Sequence, residues 1–167
     1  MNKIVIIGNS GSGKSTLAKT LAQKYSLVHL DLDTLAWMPE QPGVRVPLEE
    51  SISKLSAFMS KQRNWVIEGC YASLVRVALG HCTKLFFLNP GINTCINNCL
   101  SRPWEPHKYE SLEAQNHNLE MLINWVKTYA TRDDEYSLKI HRQLFEDFSG
   151  EKIELLSNES LSEEMLN

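Results

Sequence analysis

Short, nearly unbroken apolar runs recur along the chain at Ile4 to Ile7, Leu27 to Leu30, Val66 to Ile67 with Trp65 leading in, Leu85 to Leu88, and Ile153 to Leu156. Runs of this length without polar alternation predict strands covered on both faces. The stretches between them switch to a helical period. Leu17, Ala18, Leu21 and Ala22 share one face of a first helix, with Lys19, Gln23 and Lys24 outside. A second helix repeats Leu48, Ile52, Leu55 and Met59, with Pro47 in its first turn, where a missing N–H costs nothing. A shorter helix is predicted over 71–79. Ile92, Cys95, Ile96, Cys99 and Leu100 form one face of the next, which Arg102-Pro103 ends because proline cannot continue the backbone ladder. Residues 103–110 read as a loop, and Ser111 caps a long helix whose buried stripe includes Leu112, Leu119, Leu122, Ile123 and Val126. A helix over 134–148 carries Leu138, His141, Phe145 and Phe148 before Gly150. A last short helix starts at Ser160, with Glu163 completing a capping box.

Strands alternating with helices predict an α/β domain built on a parallel sheet, with right-handed crossovers and a ligand site at the carboxyl ends of the strands. No internal repeat, low-complexity tract or interdomain linker interrupts the pattern. At 167 residues, 43% hydrophobic and 22% charged, the chain predicts a single domain over 1–167. A net charge of -3 supplies no basic field for a polyanion and argues against direct nucleic-acid binding. Met-Asn-Lys runs directly into the first strand and no stretch approaches 18 apolar residues, so the expectation is a soluble cytoplasmic protein with no membrane partner. The sequence carries no signature of an oligomeric state. Cys70, Cys82, Cys95 and Cys99 form no zinc-type spacing and read as small core residues.

The chemistry begins at Gly8-Asn9-Ser10-Gly11-Ser12-Gly13-Lys14-Ser15, which lies between the first strand and the first helix and fits the G-x-x-x-x-G-K-[ST] phosphate-binding loop. Gly8, Gly11 and Gly13 let backbone amides of the loop, including those of Ser10 and Ser12, turn toward phosphates. The helix opening at Lys14, Ser15 and Thr16 directs its positive end at the same place. Lys14 should reach the β and γ phosphates of a nucleoside triphosphate, and the Ser15 hydroxyl is placed for Mg²⁺. The second strand delivers Asp31 and Asp33 to the same sheet edge. Two carboxylates beside a γ-phosphate suit a division in which Asp31 orients Mg²⁺ and Asp33 accepts the proton of an attacking hydroxyl. Asp33 could instead cap the following turn. Glu68 ends the third strand, either beside metal-bound water and substrate or simply solvated, and Gly69 permits close backbone approach. No N-K-x-D guanine-reading motif occurs, and the fourth strand ends in Asn89 instead of Asp, which weakens a GTPase-switch reading.

The arrangement resembles the adenylate-kinase and shikimate-kinase group of small P-loop kinases, and most closely its topology modulation branch. The resemblance rests on the loop from Gly8 to Thr16, on His29-Leu30-Asp31 leading to Leu35-Ala36-Trp37, on Trp65-Val66-Ile67-Glu68-Gly69 followed by Tyr71, and on Trp125 in the late helix. It runs along nearly the whole chain. It implies a three-layer fold with a five-stranded parallel sheet in order 2-3-1-4-5, helices on both faces, an acceptor pocket between the second and third strand ends, and a mobile lid over about 102–132. By that likeness Arg102 opens the lid, while Arg132 and Arg142 grip phosphates. Arg132-Asp133-Asp134 could equally be a solvated helix start. Relatives carry a denser arginine run in the lid than Arg102-Pro103-Trp104-Glu105-Pro106-His107-Lys108, and a zinc-stapled lid is ruled out by the missing cysteine set.

Trp37, Met38, Tyr71 and Arg76 should surround the acceptor pocket, where an aromatic wall with one guanidinium suits a planar or anionic acceptor. Trp37 could alternatively anchor the core. His29 reads as a hydrogen-bonded core residue, and Ser157 and Asn158, beyond the last strand, are candidates for the adenine edge. The expectation is an ATP- and Mg²⁺-dependent phosphotransferase acting on a small-molecule acceptor. The alternative is a nucleotide-binding regulatory or DNA-topology-associated protein with little turnover.

Overall fold

The computed structural model describes residues 1–41 and 43–159. Five strands, β1 (Lys3–Gly8), β2 (Val28–Asp31), β3 (Trp65–Gly69), β4 (Lys84–Leu88) and β5 (Glu151–Leu155), pair in parallel in the order β2-β3-β1-β4-β5. The helices are α1 (Lys14–Tyr25), α2 (Asp33–Ala36), α3 (Leu48–Lys61), α4 (Ala72–Leu79), α5 (Ile92–Leu100), α6 (Leu112–His117), α7 (Leu119–Lys127) and α8 (Leu138–Asp147).

Period-two geometry divides the central strands between two cores. Val5, Ile7, Trp65, Ile67, Leu85 and Phe87 face one way, against Leu55 and Met59 of α3, Leu74, Val75 and Ala78 of α4, and Leu144 of α8. Ile4, Ile6, Val66, Phe86 and Leu88 face the other, against Leu17, Ala18 and Leu21 of α1. Each fully buried Leu or Ile contributes roughly 1.5–3 kcal/mol, so the unbroken apolar runs reflect burial from both sides. Cys95, Cys99 and Val126 form a third, small cluster that packs α5 on α7. All four cysteines are unpaired thiols.

The edge strands depart from two-sided burial. Val28 is exposed in β2, as are Glu151 and Lys152 in β5, because an edge strand has a neighbour on one side only. Leu48, Leu100 and Leu112 lie outside the cores predicted for them, each at a helix terminus where the stripe runs off the packed surface. Pro47 precedes α3 as its N-cap residue. The long helix predicted from Ser111 is two: Ser111 Oγ does accept the Ala114 N–H, but Asn118 separates α6 from α7. The helix predicted from 134 begins at Leu138, where Ser137 Oγ accepts the Ile140 N–H. The helix predicted from Ser160 lies outside the described residues. No helix among the described residues is long and apolar enough to cross a membrane.

Candidate nucleotide and acceptor site

The loop leaving β1 fits under its neighbours only because three of its residues lack a side chain. At Gly8 (φ +153°) an added Cβ would stand 2.4 Å from the Leu88 carbonyl oxygen, and at Gly11 (φ +76°) 2.3 Å from that of Cys95. Gly13 (φ +98°) is the N-cap of α1 and supplies no side-chain cap, which leaves the first-turn amides free to meet an anion. Three asparagines, the buried Asn9 and the half-buried Asn98 and Asn158, hold the loop from behind. Asn9 accepts the Ser10 N–H at 2.8 Å through Oδ1 and donates to the Val126 carbonyl at 3.3 Å. Asn98 donates to the Gly11 carbonyl at 2.8 Å and to Asn158 Oδ1 at 2.9 Å, and Asn158 donates to the Ser12 carbonyl at 2.9 Å. The Ser12 hydroxyl is buried without a partner. Lys14 Nζ donates to the Asn9 carbonyl at 2.8 Å, so the ammonium lies along the loop. Thr16 is exposed in the first turn of α1.

Beside the loop, Asp31 and Glu68 are register partners at the ends of β2 and β3. Glu68 is 2% exposed and accepts the Ser15 hydroxyl at 2.6 Å, with the His29 imidazole 3.5 Å from the same oxygen. His29 therefore meets a site carboxylate and not an apolar core. Burial pushes the Glu68 carboxyl up, but His29, Lys14 and Ser15 outweigh it and hold the group below its ordinary range. Asp31 is raised, by burial first and then by Glu68 and Asp33, and Lys108 does not offset the rise.

Asp31 performs the turn capping considered for Asp33: its Oδ1 accepts the Asp33 N–H at 2.9 Å and starts the short helix α2. The Asp33 carboxylate is turned to the site. Its Oδ1 accepts the Tyr71 hydroxyl at 2.6 Å, Tyr71 in turn accepts the Trp37 indole N–H at 2.7 Å, and its Oδ2 pairs with Lys108 Nζ at 2.8 Å. Burial raises Asp33, yet Lys108 and Tyr71 together bring it below the usual carboxylate range. The same carboxylates hold Lys108 well above its ordinary value against the opposing effect of burial. Gly69 approaches Leu32 closely enough that a Cβ there would stand 2.8 Å from its Cβ.

Several predicted side chains are placed elsewhere. Arg76 is exposed on α4, and the guanidinium of the aromatic wall is that of Arg45, which stacks 5.3 Å from the Trp37 ring and 4.9 Å from the Tyr71 ring. Arg45 also donates to the Ala36 carbonyl and the Tyr136 hydroxyl. Trp37 is 39% exposed and lines the site instead of anchoring the core. Met38 begins the reversal that brings Arg45 back, its N–H bonded to the Val44 carbonyl. Arg142 donates to both Glu154 oxygens at 2.6 and 2.8 Å, and Arg132 stacks 3.8 Å from the Trp125 ring while donating to the Trp125 and Tyr136 carbonyls. Both guanidinium groups are spent on the protein itself. Arg102 pairs with Glu105 at 3.2 Å. Asn158 braces the loop backbone, which accounts for its donor and acceptor without an adenine ring.

Lys108 and Arg45 are the two cations of the site that the spacing of the lid arginines does not mark. Pro39 and Gly43 between Trp37 and Arg45 were the available signal for the second, since turn residues there return the chain to an antiparallel bridge between the two. Lys108 had none for its place in the site, because Asp31 and Asp33, the carboxylates it meets there, lie in β2 and α2, far away in sequence.

The residues present fit a nucleoside triphosphate with Mg²⁺. The glycine cradle, the free first-turn amides and Lys14 suit a polyphosphate, and Ser15, Asp31 and Glu68 supply the hard oxygens a magnesium ion takes alongside phosphate and water. Among the described residues no group of three or more His, Cys, Asp or Glu side chains is disposed to hold a metal alone.

No family model matches the sequence. A segment of 69 residues is 35% identical to adenylate kinase of Mesomycoplasma hyopneumoniae (strain 7448), covering 41% of this chain and 27% of that protein. A segment of 47 residues is 45% identical to shikimate kinase of Enterococcus faecalis, covering 28% of this chain and 27% of that protein. The chain thus spans about a quarter of the length of these curated relatives. Among solved structures, shikimate kinase from Acinetobacter baumannii in complex with shikimate superposes with a TM-score of 0.58 at 18% identity, over 99% of this chain and 91% of that one. An unliganded sugar kinase from Janibacter sp. HTCC2649 gives 0.55 at 18% identity, over 99% and 92%. With its five parallel strands, helices on both faces and phosphate loop after β1, the chain has the P-loop fold shared by these kinases.

Proposed function

We propose that the protein is an ATP- and Mg²⁺-dependent phosphotransferase acting on a small-molecule acceptor, a single-domain P-loop kinase of the cytoplasm nearest the topology modulation branch. One observation carries the reading: the glycine cradle, Lys14 and Ser15 share a sheet edge with Asp31, Asp33 and Glu68, so phosphate ligands and a proton acceptor converge. Bound Mg²⁺ would supply charge neutralisation of the phosphates. Lys14 would follow the phosphate chain, and Ser15 and Asp31 would hold the metal directly, with Glu68, which accepts the Ser15 hydroxyl, orienting that hydroxyl and meeting the ion through water. Asp33 Oδ2 takes the proton of the acceptor hydroxyl as that oxygen attacks the γ-phosphorus and ADP leaves, while Tyr71 fixes Oδ1. Trp37, Tyr71 and Arg45 form the acceptor wall. Arg102 is the lid arginine nearest in role to transition-state stabilisation.

The internal pairing of Arg132 and Arg142 favours a second reading, a nucleotide-binding regulator with little turnover. An acceptor screen separates the two. Phosphate should move from Mg·ATP to at least one member of a metabolite and nucleoside library, and Lys14→Ala should abolish the transfer. ATP uptake with no product from any acceptor supports the regulator instead. The net charge of -3 opposes direct DNA binding, and a complex with DNA that survives physiological salt would overturn that point.

A further inference from the structure

Lys108 lies in the loop between α5 and α6, yet its side chain is only 19% exposed and its Nζ stands 2.8 Å from Asp33 Oδ2, 3.2 Å from Asp31 Oδ2 and 3.5 Å from Glu105 Oε1. The two aspartates divide their oxygens in the same way. Each Oδ1 is held by the scaffold, Asp31 by the Asp33 N–H and Asp33 by the Tyr71 hydroxyl. Each Oδ2 is held by Lys108. On the functional reading above, those Oδ2 atoms are the ones a metal ion and an acceptor hydroxyl need. We infer that Lys108 is a latch: an internal counter-ion that holds its loop down on the Asp31–Asp33 pair and that metal-bound nucleotide displaces.

The loop is built to aim this ammonium. Glu105 braces Lys108 and is itself held by Arg102, and its carbonyl accepts the Lys108 and Tyr109 N–H groups at 2.9 and 3.0 Å. Gln115, 9% exposed, accepts the Glu105 N–H and donates to the Pro103 carbonyl. A lysine merely resting on the surface would not be fixed by a chain of bonds reaching into α6. The charge balance points the same way. Asp31, Asp33 and Glu68 crowd three carboxylates into one strand-end cluster, in which His29 and Lys14 offset Glu68 and Lys108 is the cation paired with the two aspartates. A divalent ion supplies the same counter-charge once it arrives. It approaches carboxylate oxygen to about 2.0–2.1 Å, and two cations meeting at Asp31 Oδ2, where Lys108 Nζ already stands at 3.2 Å, repel one another, so the ion competes with the ammonium for that oxygen. Of the two partners of Asp31, the Asp33 amide is locked into α2, and Lys108 is the one free to leave.

The latch therefore taxes metal binding, because only the unlatched fraction is competent. The test titrates Mn²⁺ into protein with saturating ADP, following bound metal by paramagnetic resonance and ADP uptake by calorimetry, with ADP in EDTA as the metal-free control. Lys108→Met should lower the half-saturating Mn²⁺ concentration by about fivefold or more, and Lys108→Arg, which keeps the charge, should stay within about twofold of wild type. A Lys108→Met protein that needs as much Mn²⁺ as wild type, or more, overturns the latch. In the wild-type protein, ADP with Mn²⁺ should also speed hydrogen exchange at the Lys108 and Tyr109 amides. Unchanged or slower exchange there overturns it independently of any variant. If wild type takes up no nucleotide under any condition, the kinase reading fails and the latch falls with it. Uptake with unaltered metal dependence sinks the latch alone.

Discussion

Arg142 illustrates how a residue's partners decide its work more than its type does. Beyond a phosphate loop and near an acidic pair, an arginine suggests a phosphate grip, but here both terminal nitrogens are engaged by Glu154, which Asn89 also holds, and the guanidinium lies 5.0 Å from the Phe87 ring. This pairing lifts the Arg142 guanidinium and lowers the Glu154 carboxyl, each chiefly through their mutual hydrogen bonds. Arg142→Ala should therefore cost about 1 kcal/mol or less of stability, the range of a partly solvated ion pair. ATP affinity should remain within about twofold of wild type, and a loss beyond about tenfold would show that the arginine leaves Glu154 to meet nucleotide. Lys14, Ser15 and the three loop glycines were legible in the sequence because the loop's chemistry is local: spacing alone fixes which amides converge. Asp33 was half legible. Its carboxylate at a strand end signalled chemistry, but only the fold shows that its neighbour Asp31 takes the capping bond and frees it for Tyr71 and Lys108.

Elements were readable where a single period persists, as in the five strands, α1, α3 and α4. They were less so where short-range bonds compete, since Asn118 divides a continuous apolar stripe and Asp31 starts a one-turn helix that no periodicity announces. His141 of α8 ties the turn after α7 and the turn after β3 to its own helix through one buried ring. Its Nδ1 lies 2.8 Å from the Tyr129 hydroxyl and its Nε2 2.8 Å from the Cys70 carbonyl, which is an acceptor only, so Nε2 donates and Nδ1 accepts from tyrosine. The ring is neutral in this arrangement, and burial presses its pKa down from 6.5 to about 4. Above the unfolded value the ring is uncharged in both states and its stabilising contribution is complete. As pH falls from about 6.5 toward 4 the unfolded chain takes up a proton that the folded one refuses, so stability is lost, by about 3 kcal/mol in total. Urea unfolding of wild type and His141→Gln at a series of pH values checks this, since carboxylate titrations common to both cancel in the difference. The stability gap between them should narrow from pH 7 to pH 4, and a constant gap would mean that the ring protonates in the folded state as readily as outside it.

At the scale of the whole molecule, the sheet order places β1 at the centre with β3 beside it, and the phosphate loop, Asp31 and Glu68 all emerge from one end of those strands and their neighbour β2. The two cores pack behind this edge from opposite faces, and at the edge itself the buried Glu68 carboxylate takes the place of apolar contact. Parallel topology was legible from the alternation of runs and helices, whereas the distant pairings across the site, Lys108 with Asp33 and Arg45 with Tyr71, depend on loops whose courses no local pattern sets. A ligand that fills the site should then stabilise the molecule as a unit, because anything bound only by the folded state raises its stability by mass action. At a free concentration about a hundredfold above its Kd, Mg·ATP adds about 2.7 kcal/mol, which for a chain of this size raises Tm by about 5–10 °C. The Lys14→Ala protein, compared with its own ligand-free melt, should show almost none of this rise, since the ammonium that lies along the phosphate loop is gone. Calorimetric melts with Mg·ATP, with Mg·GTP and with Mg²⁺ alone separate nucleotide uptake from simple metal binding. A rise with Mg²⁺ alone as large as with Mg·ATP would mean that the carboxylate cluster, and not the phosphate loop, is the dominant ligand site of this fold.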